Sequence, residues 1–223
     1  MYQVNYTPDY VHVELISNRW VLSSAVLNGG LIQAKHILNL KVTQNFSGKK
    51  TDFEPPDITL STYGQSLGLQ GTVVGMMTSA PMTSFRQVSI NEQETEVTAL
   101  VTVGVSNAKR AGEPAEWRKI GSGIDETGTI NIIILTNKIL TQAAMVEAVI
   151  TVTEAKTVAL NNLDITSSKT GELATGTGTD AIAIVSGLDS PEIHYCGKHV
   201  LFGEMLATAT IQAITDSFTN RED

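Results

Sequence analysis

The seven residues from Ala174 to Asp180, ATGTGTD, place three threonine hydroxyls and a carboxylate in one short glycine-rich stretch. Hydroxyls beside a carboxylate are groups that can activate a nucleophile or hold a polar substrate. If the stretch is extended, Thr175, Thr177 and Thr179 share one face and Gly176, Gly178 and Asp180 the other. One face then offers hydroxyls, and the other a bare groove ending in an acid. An interior glycine costs roughly 0.5–1 kcal/mol relative to alanine, so two alternating glycines before an acid point to backbone brought against a ligand. The structural alternative is a bulged strand entry, where glycine relieves crowding. The spelling G-x-G-x-x-A also fits a dinucleotide fingerprint, but that loop must open a helix. Here Ala181–Val185 reads as strand, which excludes it.

Four further places carry candidate chemistry. Thr129 follows Gly128 at the mouth of an apolar segment and is a candidate nucleophile toward an amide; the alternative is plain strand initiation. Asn107, at the exit of a strand, has an amide able to hold a developing oxyanion, and Lys109 stands two residues on. In Tyr195-Cys196-Gly197-Lys198-His199, Lys198 and His199 precede a helix and can hold a polar group or exchange a proton near neutral pH, or the histidine can be structural. Glu154 lies with Glu147, Ile150 and Val158 on one face of a helix at steps of three and four, and the apolar character of the rest predicts a partly buried carboxylate there. Asn28-Gly29-Gly30 reads as a turn. Cys196 is the single cysteine, so no disulfide and no multi-cysteine metal site can form. His12, His36 and His194 are scattered without ligand spacing, so no metal site is expected.

The elements that must position these groups follow from periodicity. Val11–Ile16 and Trp20–Leu27 read as strands, Leu31–Leu40 as a helix, and Ile58–Gly68 as a short helix capped by Asp57. Gly71–Thr78, Ser84–Ile90 and Glu96–Val105 read as strands. A long loop over Ser106–Thr127 contains Arg110, Glu113 and Trp117, and long ordered loops tend to be functional. Gly128–Leu135 reads as a buried strand, and helices are predicted over Thr141–Leu163 and His199–Phe218. This order predicts an α/β (α+β) fold: a single layered domain over 1–223, with mixed β-sheet packed against long helices, of which an αββα sandwich is one form.

Composition bounds the partners. A formal charge of −8 with no basic run argues against nucleic acid, whose binding needs a basic face. The N-terminus lacks a signal-peptide pattern and no apolar run approaches the ~20 residues of a membrane helix. A cytoplasmic protein with no membrane partner is therefore expected, and long apolar helices leave a homodimer open.

Read in order, LSSAVLNGG (22–30), GVSNAKRAGEPA (104–115), GTINIIIL (128–135), TEAKTVAL (153–160), ATGTGTDAIAI (174–184) and YCGKHVLFGE (195–204) resemble the adenosylcobinamide amidohydrolase family of bacteria and archaea, over nearly the whole chain. The resemblance implies hydrolysis of the amide joining the aminopropanol arm to the corrin ring, giving adenosylcobyric acid and 1-aminopropan-2-ol. It implies a corrinoid as small-molecule partner and no cofactor, since the substrate itself carries cobalt. On that reading Thr129 is the nucleophile unless water attacks directly. His199, Glu154 and Asp180 are candidates for proton transfer, and Asn107 for the oxyanion. Asn28, Gly29, Gly30, Lys109, Gly176, Thr177, Gly178, Thr179 and Lys198 are the candidate substrate contacts.

In layout, Gly128–Leu135, the long helix and the glycine-rich strand are also similar to the self-cleaving aminopeptidase and ornithine acetyltransferase group. There a serine or threonine opening a buried strand is the nucleophile, the position Thr129 holds here. This chain is shorter, and a threonine without a free amine needs another base. The rival readings are a non-catalytic corrinoid-binding protein and a self-processing peptidase or acyltransferase.

Overall fold

The structure is a computed structural model and describes residues 2–42, 54–115 and 128–219. Its centre is β8 (Ile130–Thr136), buried at every position, as an isoleucine run with both faces covered must be. Antiparallel to it lies β6 (Thr95–Val103), followed outward by β5 (Arg86–Glu92). On its other side, parallel, runs β11 (Ala181–Val185). Then come β2 (Tyr10–Ser23), β3 (Gly30–Lys41) and β4 (Val73–Thr78), with β1 (Tyr2–Tyr6) paired to the first half of β2. The result is one mixed eight-stranded sheet, and β9 (Lys138–Leu140) and β12 (Asp189–Ile193) form a separate parallel pair.

The sheet folds back over itself. Tyr2 Oη donates to Thr98 Oγ1 at 3.0 Å, and Asn39 Nδ2 to Thr102 Oγ1 at 2.9 Å, so β1 and β3 lie over β6. Val13, Leu15, Ile37, Val74 and Met76 from the folded-over half meet Leu100, Ile133 and Leu135 in a core between the two halves. On the opposite face, Val97, Ala99, Val101 and Val103 of β6 and Ile130, Ile132 and Ile134 of β8 pack under α2 (Gln142–Asn162) and α3 (Leu201–Thr219). The short α1 (Pro56–Ser66) covers β3 and β4 through Leu60 against Leu38 and Leu40. Helix, sheet, sheet and helix layers follow in that order, the αββα form of the expected α/β architecture.

Several predicted elements stand with shifted ends. Thr141 caps α2 by accepting from Ala144 N at 3.1 Å, a side-chain cap of the usual kind. Asp57 lies in the first turn of α1 without capping it, since the chain enters at Pro55.

The helix expected over Leu31–Leu40 is a correction: the segment is β3. Leu38 and Leu40 face α1 while Ala34 and Ile37 face the inter-sheet core, and the β2–β3 pairing shifts between Glu14 and Arg19. Apolar residues on both faces of an irregular strand mimic a helical period. The same irregularity lies inside β2, which is one strand where the sequence suggested two. Of the long loop, Ala108–Lys109 form a short strand β7, and positions 116–127, including Trp117, lie outside the described residues.

Candidate active site

The parallel pair β8 and β11 begins at one end of the sheet, and the glycine-rich stretch arrives there. Gly176–Thr177 forms a two-residue strand, β10, against β7, with Gly176 opposite Lys109. The chain then bends through Gly178 and Thr179 before β11 begins. The expected two-faced strand is therefore broken, and the groove with Asp180 apart from the threonines is corrected. Asp180 folds back, Oδ2 accepting from Thr177 N at 3.0 Å and Oδ1 from the Thr177 hydroxyl. Oδ1 also accepts from Ile130 N at 3.0 Å, which fastens the bend to the start of β8.

Asp180 Oδ2 also pairs with Lys156 Nζ on α2; the two side chains are 8% (Lys156) and 11% (Asp180) exposed. Four donors thus converge on one carboxylate, filling its acceptor positions. Gly176 is bare because a Cβ there would lie 2.7 Å from Lys156 Nζ and closer still to Asp180. The space is filled by the ion pair and offers no ligand groove at that residue.

This lock sets the threonines. Thr129, 4% exposed, stands 2.6 Å from Thr179, Oγ1 to Oγ1. Thr179 Oγ1 also donates to the Gly128 carbonyl at 3.2 Å, and Thr177 Oγ1 lies 3.4 Å from that oxygen. Since a hydroxyl has one proton, Thr179 giving its own to Gly128 receives the proton of Thr129. Gly128 has φ +107°, a backbone only glycine adopts freely, and a Cβ there would lie 2.8 Å from Ser106 Oγ and Asn107 Cγ. Its N–H donates to Ser79 Oγ. Asn107 is thereby against the peptide that precedes Thr129. Thr179 and Gly178 are exposed, so the buried hydroxyl of Thr129 is reached past them.

The remaining candidates sit elsewhere. Lys198 pairs with Glu154 on the outer face of α2, the side chains 68% and 49% exposed. His199 is exposed, its ring 6.1 Å from that of Tyr195. Glu147 is the half-buried carboxylate of that helix, accepting from Cys196 N. None of Glu154, Lys198 and His199 has a hydrogen bond to the Thr129 corner. Asn28, with φ 54°, donates Nδ2 to Val73 O at 2.8 Å, and Gly29 packs on the Ala25 carbonyl. Asn28–Gly30 thus ties the β2–β3 connection to β4, while Ser23 and Ser24 just before it bond to Ile182, two residues past Asp180.

The Cys196 thiol is pushed up to about 12 by burial and then by the Glu147 carboxylate, which keeps it protonated at neutral pH. His36 is engaged on both ring nitrogens, by His12 at 3.1 Å and Gln70 O at 3.0 Å.

Lys156 escaped the sequence reading. Its signal is its register: it stands four residues after Val152 and three before Ala159, inside the buried stripe of α2. A cavity of about 460 Å³, lined by Lys138, Ile193, Tyr195, Phe202 and Met205 among others, lies at the far end of β8. That is roughly 20 Å from Thr129 by the rise of a strand.

A hydroxyl nucleophile candidate fixed by a second hydroxyl, next to a backbone carbonyl and an amide side chain, defines a site suited to acyl transfer from an amide. Among the described residues no group of three or more His, Cys, Asp or Glu is placed to hold a metal, and no helix is long and apolar enough to cross a membrane. The sequence as a whole specifies the class further: residues 1–223 match the model of the adenosylcobinamide amidohydrolase family, and the chain belongs to that family. It is an amidohydrolase acting on adenosylcobinamide, which displaces the non-catalytic carrier reading. Among its relatives, an uncharacterized protein of Methanocaldococcus jannaschii is 33% identical over 94% of this chain and 86% of its own. An adenosylcobinamide amidohydrolase of Methanosarcina mazei is 29% identical over 86% of each. A solved Pyrococcus horikoshii structure aligns over 98% of this chain and 78% of its own, with 13% identity and a TM-score of 0.46. That likeness is too slight to carry any argument.

Proposed function

We propose that the enzyme cleaves the amide between the corrin side chain and its aminopropanol arm, giving adenosylcobyric acid and 1-aminopropan-2-ol, with Thr129 as the nucleophile. The observation that supports this is the corner at the start of β8, where Thr179 Oγ1, 2.6 Å away, can take the proton of Thr129. Thr129 Oγ1 attacks the amide carbon and its proton passes by way of Thr179 to the departing nitrogen. The C–N bond breaks, the amine leaves, and water then hydrolyses the threonyl ester. Asn107 supplies an amide to the oxyanion. Asp180, already bonded by four donors, acts as the fastener of the bend rather than as the base. The pair of Thr177 and Thr179 with Gly178 forms the exposed lip that meets the substrate. The acidic net charge and the corrinoid chemistry fit a cytoplasmic enzyme with a small-molecule partner and no nucleic acid.

Product analysis tests the reading: adenosylcobinamide incubated with enzyme should release 1-aminopropan-2-ol and gain a carboxylate. Thr129→Ala should lose on the order of 10³-fold or more in kcat, as removal of a nucleophile does, while Thr129→Ser retains activity. Full activity in Thr129→Ala would transfer the attack to water.

A second reading, self-processing at Gly128–Thr129, is favoured by one observation. The Gly128 carbonyl, which precedes Thr129, has the hydroxyls of Thr179 and Thr177 at 3.2 and 3.4 Å. The Thr179 hydroxyl, donating to that carbonyl, polarises the bond that an attack by Thr129 would break, while the Thr177 proton is held by Asp180, and cleavage would free an amine as a base. Intact-mass measurement decides: two fragments meeting between Gly128 and Thr129 support it, and a single uncut chain excludes it.

A further inference from the structure

Thr129 immediately precedes β8 and stands one two-residue step before Asn131, whose side chain reaches across the space between the two halves of the sheet to Asn39 of β3. Asn131 is 1% exposed. Its Nδ2 donates to Met77 O at 2.9 Å and to Asn39 Oδ1 at 2.8 Å, and Asn39 in turn donates to Thr102 Oγ1 at 2.9 Å. Because a backbone carbonyl only accepts, the contact with Met77 fixes which end of the amide is nitrogen. Asn131 Oδ1 is therefore a true acceptor, and it is buried with no hydrogen-bond partner among the described residues. A buried acceptor left open in this way calls for a ligand or a water.

The surroundings favour a ligand. Asn131 faces Ala181 across the β8–β11 pairing, and Ala181 is half-buried although Ala183 and Val185, which share its side of β11, are fully covered. Access from outside thus reaches one strand spacing from Asn131, about 4.8 Å. It does so over small side chains, with Ala183 and Ala25 beyond. The reacting hydroxyl of the proposed mechanism is one step of the strand's two-residue repeat away, roughly 7 Å.

Resting on the reading of Thr129 as the nucleophile, we propose that Asn131 Oδ1 accepts the N–H of the scissile amide. It thereby sets the carbonyl over Thr129 and selects a secondary amide over an ester. An ester oxygen in place of that N–H carries no proton and faces the carbonyl oxygen of Asn131 with its lone pairs, so the site that grips the amide repels its isostere.

Binding to the Thr129→Ala enzyme, followed by isothermal titration, tests the proposal without turnover. Adenosylcobinamide should bind at least about 30-fold more tightly than the analogue with an ester at that linkage, in keeping with sites built to bond a substrate N–H. Asn131→Ala added to Thr129→Ala should reduce the preference to within about threefold. Thr102→Val, which removes the last member of the same network without touching Asn131 Oδ1, should leave it unchanged. Equal binding of the two ligands by Thr129→Ala overturns the proposal, as does a preference that survives Asn131→Ala; the acceptor then serves a structural water. A preference lost equally in Thr102→Val overturns it in favour of general network collapse. Binding of neither ligand overturns it together with the corrinoid reading, and a wild-type enzyme that still releases aminopropanol shows that only the Asn131 assignment has failed.

Discussion

Two corners of the molecule hold the groups best equipped for chemistry, and they differ in burial. At the start of β8, Thr129, Thr177, Thr179, Asp180 and Lys156 share partners in one network, with Thr129 4% exposed and the Lys156–Asp180 side chains 8% and 11% exposed. Before α3, Lys198 and Glu154 pair in the open and His199 stands exposed. The second corner has the residue types that titrate nearest neutrality. The first has geometry, in which each group's position is fixed by at least one other and desolvation strengthens every contact. What decides between them is shared constraint, and the assignment of chemistry to the threonine corner can be broken by substitutions that should cost much in one place and little in the other.

The largest effect is expected at Lys156. Lys156→Met removes one partner of a buried ion pair and leaves the Asp180 carboxylate with only the Thr177 and Ile130 donors, a loss of about 3–5 kcal/mol in comparable cases. Urea unfolding should show it, with activity falling as the bend at Gly178 and Thr179 loosens. Adding Asp180→Asn should recover more than half of the stability. If the single variant is as stable as the parent, the lock described here holds nothing.

Next comes Thr179→Val, which keeps the shape and removes the hydroxyl 2.6 Å from Thr129. The proton of Thr129 then has no acceptor at that position, and kcat should drop on the order of 10²-fold with KM and melting temperature nearly unchanged. A rise in KM with kcat unchanged would make Thr179 a substrate contact only.

The parts legible in the sequence are those governed by local pattern. The isoleucine run of β8, the Thr141 cap and the apolar stripe of α2 each depend on neighbours within a turn or two, and Thr129 was visible because it opens that run. β3 was misread because its alternation is interrupted where β2 is irregular, information carried by the partner strand. Lys156 was passed over because a lysine on a helix ordinarily reaches solvent; only its place within the buried stripe marks it. Asn131 and Asn39 are 92 positions apart, and nothing local says that the sheet folds to bring them together. The bend that turns Asp180 back on Thr177 is likewise a product of the Lys156 contact, which alternation cannot foresee.

A third buried polar cluster, on the outer side of β2 and β3, sharpens the contrast because it is built from two histidine rings. His36 Nε2 donates to Gln70 O, so its Nδ1 accepts from His12 Nε2 at 3.1 Å. Burial, then the neighbouring His36 ring, lowers the His12 pKa, with Glu14 opposing. A histidine whose folded pKa lies below its unfolded value stabilises the fold above about pH 6.5, and that contribution is lost as the pH falls below it. Thermal melting between pH 7.5 and 5 should decline, and His12→Gln should flatten the decline.

The smallest effect belongs to the exposed corner. Glu154→Gln removes the partner of Lys198 from a solvated pair, and such pairs contribute about 0–1 kcal/mol. His199→Ala removes a ring with no hydrogen bond to the Thr129 corner. Both variants should keep kcat/KM for adenosylcobinamide within about threefold of the parent, an activation difference under roughly 0.7 kcal/mol. Added salt should screen what little the ion pair contributes. A loss beyond tenfold in His199→Ala, with a bell-shaped pH profile flattened on one side, would reverse the assignment. The corner before α3 would then close on the substrate and supply the acid or base, and the buried threonines would serve to hold the strand ends that face it.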